Sequence, residues 1–455
     1  YNKGINNWNS NYTSSDLDAL ISLWGRENDD GSIVISEKKS IHKYKKENTH
    51  QGIDPSNPGE TLYECDFIAS SEIAELIGES EAAGLEWSKN GVENRVSKLQ
   101  NCIDIINKKR TSLLKILMAD IGKPYKEAEA ELCEALDFIQ YYINECGKIE
   151  GSFAGKGLSY VAAPWNFPFG IPAGAIAASL LVGNAVVYKP AKESLLIGVA
   201  LAKCFWEAGI PSDVLQCIAC DDEAANKILK DERIKVIMLT GSTETGRLFL
   251  KERFDATLIA ETGGKNTILV SELCDEELAA VDIVESAFSY GGQKCSAASV
   301  LIIPRTKEKT LLTKVKSRVS HLVMDKQWSP NVDIPPLIEE VSMEKISEFV
   351  QLKDGEYWLV EPSVNGHYCS PGIKVNVHKD AKELRTEFFA PLLSVVIVDT
   401  FAEGLDIIAN SPYGLTAGLH TLIEKDKEQW LKTINVGNYY INKKTTGAIV
   451  SRQPF

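Results

Sequence analysis

Hydrophobic positions are scattered through the first sixty residues. Asn, Ser, Lys and Gly dominate there, Pro55 and Pro58 close the stretch, and only Asp16–Trp24 has helical spacing, through Leu17, Leu20, Ile21 and Leu23. From Ser70 the pattern turns firmly helical: Ser70 or Ser71 caps a helix with Ile73, Leu76, Ile77, Ala83 and Trp87 as its apolar positions. Val92–Lys108 and Thr111–Ile121 predict two more helices, Gly122-Lys123-Pro124 interrupts, and Tyr125–Cys146 starts another. Past Gly157 the period changes. Short apolar runs at Leu158–Ala162, Ala185–Tyr188, Val214–Ala219 and Val236–Leu239 alternate with helical segments at 171–182, 194–208 and 222–230. That rhythm predicts a parallel sheet with crossover helices. A second series follows Gly264, with strands at Thr267–Val270, Val300–Ile303 and Leu392–Val398 and a helix over Leu278–Phe288.

A chain of 455 residues exceeds one ordinary core, and 63 acidic against 49 basic residues leave a net charge of −14. No basic excess is available to displace phosphate counterions, which argues against nucleic-acid binding. The Lys38–Lys46 cluster reads as a solvated surface. The residues after Tyr1 are polar and form no secretory apolar core, and ten cysteines are sparse for this length. Both point to a reducing, cytoplasmic setting. The uncharged stretch Phe167–Tyr188 is long enough to span a bilayer, but Pro168, Pro172, several glycines and Asn184 favour a buried segment of a soluble fold. We predict no membrane span.

Candidate chemistry starts at Cys295, in Gly291-Gly292-Gln293-Lys294-Cys295-Ser296-Ala297. Small neighbours let backbone approach a substrate, and Lys294 with nearby amide dipoles would favour the thiolate. The six histidines sit in no motif, so the candidate base is Glu261, between the run Thr257–Ala260 and the pair Gly263-Gly264. Thr240-Gly241-Ser242, ending at Gly246, follows a strand and opens a helix at Arg247–Glu252, a place suited to phosphate. Lys189 puts a cation at a strand's carboxyl end, where open α/β sheets bind ligands. Cys217 and Cys220 have the spacing of a redox or zinc pair, but no second pair follows and the segment reads as a buried strand; no metal site is predicted. Taken singly, each candidate competes with a bland reading: an inert buried thiol, a surface glutamate, a solvated lysine.

Together, Pro164-Trp165-Asn166-Phe167-Pro168, Lys189-Pro190-Ala191, Thr240-Gly241-Ser242, Glu261-Thr262-Gly263-Gly264, Gly292-Gln293-Lys294-Cys295 and Glu387-Phe388-Phe389-Ala390-Pro391 resemble the aldehyde dehydrogenase superfamily from about Ser70 to Phe455. Thr445-Thr446-Gly447-Ala448-Ile449-Val450 with Arg452-Gln453-Pro454-Phe455 is similar to its 1-pyrroline-5-carboxylate dehydrogenases, including the dehydrogenase half of bifunctional proline-utilisation proteins. The resemblance implies an α/β fold: a doubly wound Rossmann-type cofactor domain (61–264) after an N-terminal extension (1–60), an α/β catalytic domain (265–438), and a C-terminal substrate-anchor segment (439–455) with small oligomerising elements. It implies NAD(P)-dependent oxidation of glutamate γ-semialdehyde to glutamate. In that scheme Cys295 is the nucleophile, Asn166 an oxyanion donor and Glu261 the base for hydrolysis. Trp165 and Lys189 become adenosine-ribose contacts, while Thr240, Gly241, Ser242 and Gly246 form the pyrophosphate side. Glu387 binds the ribose, Phe389 packs near the nicotinamide, and Ser296, Gly447 and Ala448 bind the substrate carboxylate.

The sequence departs from the family pattern at three places. Lys192 stands where many NAD-preferring relatives carry a carboxylate, which admits NADP. The segment from Gly246 to Glu261 is short, and the chain ends at Phe455 where relatives continue. Alternatives stay open: a dehydrogenase for aminoadipate or succinylglutamate semialdehyde, or a catalytically idle subunit. A homo-oligomer and a link to a proline dehydrogenase are further expectations from the resemblance.

Overall fold

The computed structural model describes residues 26–27, 33–34, 46–148, 154–338, 346 and 349–452. The helical spacing at Asp16–Trp24, most of the Lys38–Lys46 cluster and the terminal Gln453-Pro454-Phe455 lie outside the described residues.

The N-terminal part is more structured than its composition suggests. Strands β1 (Lys46–Asp54) and β2 (Asn57–Ile68) form an antiparallel hairpin. Asp54 accepts from the Ser56 amide and hydroxyl at 2.8 and 2.7 Å, a side-chain turn that closes the tip. Its carboxylate also receives Gln327 Nε2 at 2.9 Å and Trp328 Nε1 at 3.2 Å, which docks the tip onto the later half of the chain. Residue 60, the expected end of an extension, therefore falls inside a strand whose Tyr63 and Cys65 are core residues. The alternation there is spread over a half-buried hairpin, which is why it is hard to see among the polar residues.

Four helices follow, α1 (Ile73–Lys89), α2 (Val92–Lys108), α3 (Arg110–Ile121) and α4 (Tyr125–Cys146). Gly122, left-handed at φ 62°, ends α3. Then come β3 (Leu158–Ala162), α5 (Gly170–Leu181), β4 (Ala185–Lys189), α6 (Leu195–Glu207), β5 (Leu215–Cys217), α7 (Asp222–Lys230), β6 (Ile234–Thr240), α8 (Thr243–Glu252) and β7 (Thr257–Glu261). These strands form one parallel sheet in the order β5-β4-β3-β6-β7. The order reverses between β3 and β6, the switch point at which doubly wound sheets bind ligands. The uncharged stretch 167–188 resolves into a turn, the twelve-residue α5 and most of β4. Among the described residues no helix is long and apolar enough to cross a membrane.

The chain passes to a second sheet between Glu261 and Asn266. Its strands are β8 (Asn266–Val270), β9 (Ala298–Pro304), β10 (Tyr357–Val360), β11 (Gly372–Val375), β12 (Leu392–Val398), β13 (Thr416–His420) and β14 (Asn438–Ile441), in the order β10-β11-β12-β9-β8-β13-β14, parallel except for β10. Helix α9 (Glu276–Phe288), capped by Asp275 on the Glu277 and Leu278 amides, leads to the segment carrying Cys295. One apolar cluster fills the first sheet and its helices, and others pack against the second sheet.

Candidate active site

Four of the residues singled out by sequence lie at or just past carboxyl ends of strands in the first sheet, while Cys295 and Glu387 lie on segments that lead into β9 and β12 and Gly447 lies beyond β14. Asn166 follows β3, Lys189 ends β4, Thr240 ends β6 and Glu261 ends β7. In a parallel sheet such ends share one edge, so four short motifs distant in sequence meet there.

Cys295 sits after an irregular turn in which Tyr290, Gly291 and Gly292 all have positive φ (54°, 64° and 72°). A Cβ on Gly292 would lie 2.4 Å from the Ala390 carbonyl oxygen, so the glycine is there because two backbones touch. Gln293, buried, ties the turn down: Nε2 donates to the Tyr290 and Pro336 carbonyls at 3.3 and 3.5 Å, and Oε1 accepts the Ile338 amide at 3.1 Å. Asn266 Nδ2 donates to the carbonyls of Cys295 (2.6 Å) and Ala297 (2.9 Å), while its Oδ1 accepts from the Thr416 amide at 3.1 Å. Nothing in the sequence pattern marks Asn266 for this role, because its partners come from two segments distant in sequence.

Asn166, 5% exposed, donates through Nδ2 to the Gln293 carbonyl at 3.0 Å. An amide nitrogen has two protons, so this bond orients the second one. Glu261 is exposed by area, yet its carboxyl is crowded enough that lost solvation raises its pKa. The turn after it runs between Glu387 and Cys295. A Cβ on Gly263 would meet Glu387 Oε2 at 2.2 Å, and one on Gly264 would meet the Cys295 carbonyl at 2.7 Å. The Gly264 amide donates to Glu387 Oε1 at 2.9 Å. The paired glycines thus bring base, nucleophile and Glu387 together.

Lys294 does not do what its position suggests. Its ammonium is paired with Glu127 at 2.7 Å, so its charge is committed to a carboxylate. The Cys295 thiol is instead pushed up to about 11, first by burial in dense packing and then by the charges of Glu387 and Glu261. By area the whole residue is only half-buried, but the packing and the two carboxylates bear on the sulfur. The free site is therefore built to hold a neutral thiol.

The arrangement fits a dinucleotide. Ser242 caps α8, accepting the Thr245 amide at 3.1 Å, and the helix start is open to solvent. Gly241 spends its N–H on the Glu261 carbonyl at 3.1 Å, so it shapes the turn, and Gly246 is small because a Cβ there would lie 2.7 Å from Thr262 Cγ2. Trp165 stands edge-on to Phe389, ring centroids 5.5 Å apart, and Phe389 itself has φ 55°. Lys192 is exposed and only loosely paired with Glu193 at 3.7 Å. On the other side, Thr445 Oγ1 donates to the Ser296 carbonyl at 3.1 Å, fastening the loop that carries Gly447 and Ala448 to the nucleophile segment. Gly447 has φ 83° and nothing near its missing side chain. Cys217, the last residue of β5, and Cys220, three residues beyond it, are both buried.

Comparison with known proteins agrees with this geometry. The aldehyde dehydrogenase family model matches residues 42–455. The 1-pyrroline-5-carboxylate dehydrogenase of Bacillus subtilis is 31% identical over 434 residues, 89% of this chain and 84% of that protein. A crystal structure of 1-pyrroline-5-carboxylate dehydrogenase from Thermus with bound NAD superimposes with a TM-score of 0.88 at 27% identity, covering 100% of this chain and 93% of that one. Proline utilization A from Bdellovibrio bacteriovorus shares the fold, with a TM-score of 0.88 at 24% identity, and this chain spans 49% of it. With strand-end site, matching family model and relatives in agreement, the chain is a nicotinamide-dependent enzyme that belongs to the aldehyde dehydrogenase family.

Proposed function

We propose that this enzyme oxidises L-glutamate γ-semialdehyde, the open form of 1-pyrroline-5-carboxylate, to L-glutamate in proline breakdown. The observation that carries the reading is the approach of Asn166 and Glu261 to the Cys295 segment, with the Gly447 loop fastened to the same segment through Thr445.

The residues divide the work as follows. Cys295 gives up its S–H proton to solvent and Sγ bonds to the aldehyde carbon as the C=O π bond opens, and the oxygen that gains charge takes hydrogen bonds from the free Asn166 N–H and the Cys295 backbone N–H. The nicotinamide ring supplies a hydride acceptor, with Lys189, the α8 start at Ser242, Trp165, Phe389 and Glu387 as the residues that would hold the cofactor. Glu261 then takes a proton from water as it attacks the thioester carbonyl; the C–S bond breaks and Cys295 leaves as thiolate. Backbone amides at Gly447 and Ala448, with Ser296, hold the substrate carboxylate, an anion that an acidic chain must attract locally.

NAD is the proposed cofactor, and Lys192 supplies a cation that tolerates a 2′-phosphate. We assign the first sheet and its helices, through residue 264, to cofactor binding, the second sheet from residue 265 to catalysis and the segment after β14 to substrate anchoring, in a cytoplasmic homo-oligomer. Steady-state kcat/KM for glutamate, aminoadipate and succinylglutamate semialdehydes, with NAD and with NADP, tests the reading. One methylene changes pocket binding by only about 1–3 kcal/mol, so the ranking is informative. A higher kcat/KM for a longer semialdehyde overturns the substrate, and absence of all turnover favours the idle-subunit reading.

A further inference from the structure

Lys123 and Glu131 are each 0% exposed and form an ion pair at 2.5 Å. Burying two charges strips both of their solvation, and such pairs are weak contributors to stability for their own sake. Among the described residues their other hydrogen bonds run to the Asn166–Gly170 segment, and the ammonium also faces the Tyr290 ring on the way to Cys295. Lys123 Nζ donates to the Asn166 carbonyl at 2.6 Å and lies 3.9 Å from the centroid of the Phe167 ring and 4.8 Å from that of Tyr290. Glu131 Oε1 accepts the Phe169 and Gly170 amides at 2.8 and 3.0 Å, which satisfies the start of α5. Tyr290 in turn opens the positive-φ turn that leads to Cys295, and its hydroxyl donates to the Ile121 carbonyl at 3.3 Å, two residues before Lys123.

Asn166 is thus held twice, by its carbonyl on Lys123 and by its side chain on the Gln293 carbonyl. Only the direction of its second amide proton is left to matter, and both anchors fix it. We propose that the Lys123–Glu131 pair consists of positioning residues for the oxyanion site: it sets the Asn166 loop against the Cys295 loop so that the free Asn166 N–H points where charge develops. The inference rests on the reading of Asn166 as an oxyanion donor.

The test is a double-mutant cycle on the full chain, with Lys123→Met and the doubly neutral Lys123→Met/Glu131→Gln each made with Asn166 intact and with Asn166→Ala. Lys123→Met leaves Glu131 as a buried unpaired charge; the doubly neutral variant removes that cost and carries the same comparison if the single variant does not fold. Misplacing a catalytic donor by about 1 Å costs on the order of 10²-fold in rate, so kcat should fall by about that factor when Asn166 is present. When Asn166 is already Ala, the same change should cost less than about threefold, because both act through one donor. Alkylation of Cys295 by iodoacetamide, which needs no oxyanion donor, should change less than about twofold across the set. Equal losses of kcat in both backgrounds, or alkylation falling in parallel with kcat, would overturn the proposal and leave the pair a purely structural role. Wild-type turnover of glutamate γ-semialdehyde separately tests the functional reading, and the cycle can be run on any aldehyde the wild type oxidises.

Discussion

Removing the charge of Glu387 should make Cys295 more reactive toward alkylating agents in the cofactor-free enzyme, although it should impair turnover. The thiol titrates near 11 instead of its ordinary 9.0, because burial disfavours the anion and Glu387 and Glu261 repel it. At pH 8 a thiol with pKa 11 is about 0.1% ionised and one with pKa 9 about 9%, so the site suppresses its thiolate about a hundredfold. Burial is the largest cause and stays in place in Glu387→Gln, so that variant recovers only part of the hundredfold: several-fold faster alkylation, short of about tenfold. The assay is the rate of iodoacetamide incorporation at Cys295 between pH 7 and 11, read by peptide mass spectrometry. In the wild type the rate should still be climbing at pH 10, with the profile shifted to lower pH in Glu387→Gln. A wild-type midpoint below about 9, or slower alkylation in Glu387→Gln, would refute the electrostatic account. The sign for stability follows from the same shift. An unfolded cysteine ionises as pH passes its ordinary 9.0 while the folded thiol does not, so stability should fall as pH rises from about 9 toward 11.

Three further outcomes are expected. Glu261→Gln should release one reduced nicotinamide per site in a rapid burst and then turn over slower by about 10²-fold or more, because thioester formation survives and hydrolysis does not; rapid-mixing absorbance separates the phases. Gly292→Ala should lose activity and be destabilised by about 1–3 kcal/mol from its left-handed backbone alone, with the 2.4 Å approach to the Ala390 carbonyl adding to that; denaturant unfolding and activity measure both. Trp87→Ala should cost about 3–5 kcal/mol in denaturant unfolding, since Trp87 is 2% exposed and its Nε1 donates to the Leu180 carbonyl at 3.0 Å.

Much of the fold was legible from spacing. The helices Val92–Lys108 and Tyr125–Cys146 and the strands Leu158–Ala162 and Leu392–Val398 have the bounds their apolar patterns predict. These elements carry a clean period because one stripe or both faces are buried. Strands such as Gly372–Val375 and Thr416–His420 were missed: they are short, and their burial comes from sheet neighbours far away in sequence. The hairpin at residues 46–68 was missed for a related reason, since its register is set by pairing across a turn.

The sequence by itself determined the chemical inventory: a cysteine shortly after a glycine pair, a glutamate before another glycine pair, an asparagine in a proline-flanked loop, and their order along an α/β rhythm. Local pattern suffices there because turns and caps are properties of neighbouring residues. Tertiary structure alone decided how that inventory behaves. It committed Lys294 to Glu127, so the expected activator of Cys295 is spent elsewhere. It raised the thiol's pKa through burial and two carboxylates, one of them more than ninety positions away along the chain. It also recruited Lys123, Glu131 and Asn266 to hold the loops in place. Electrostatic energy and hydrogen-bond geometry depend on distance in space, and folding brings charges and donors together that the sequence keeps apart.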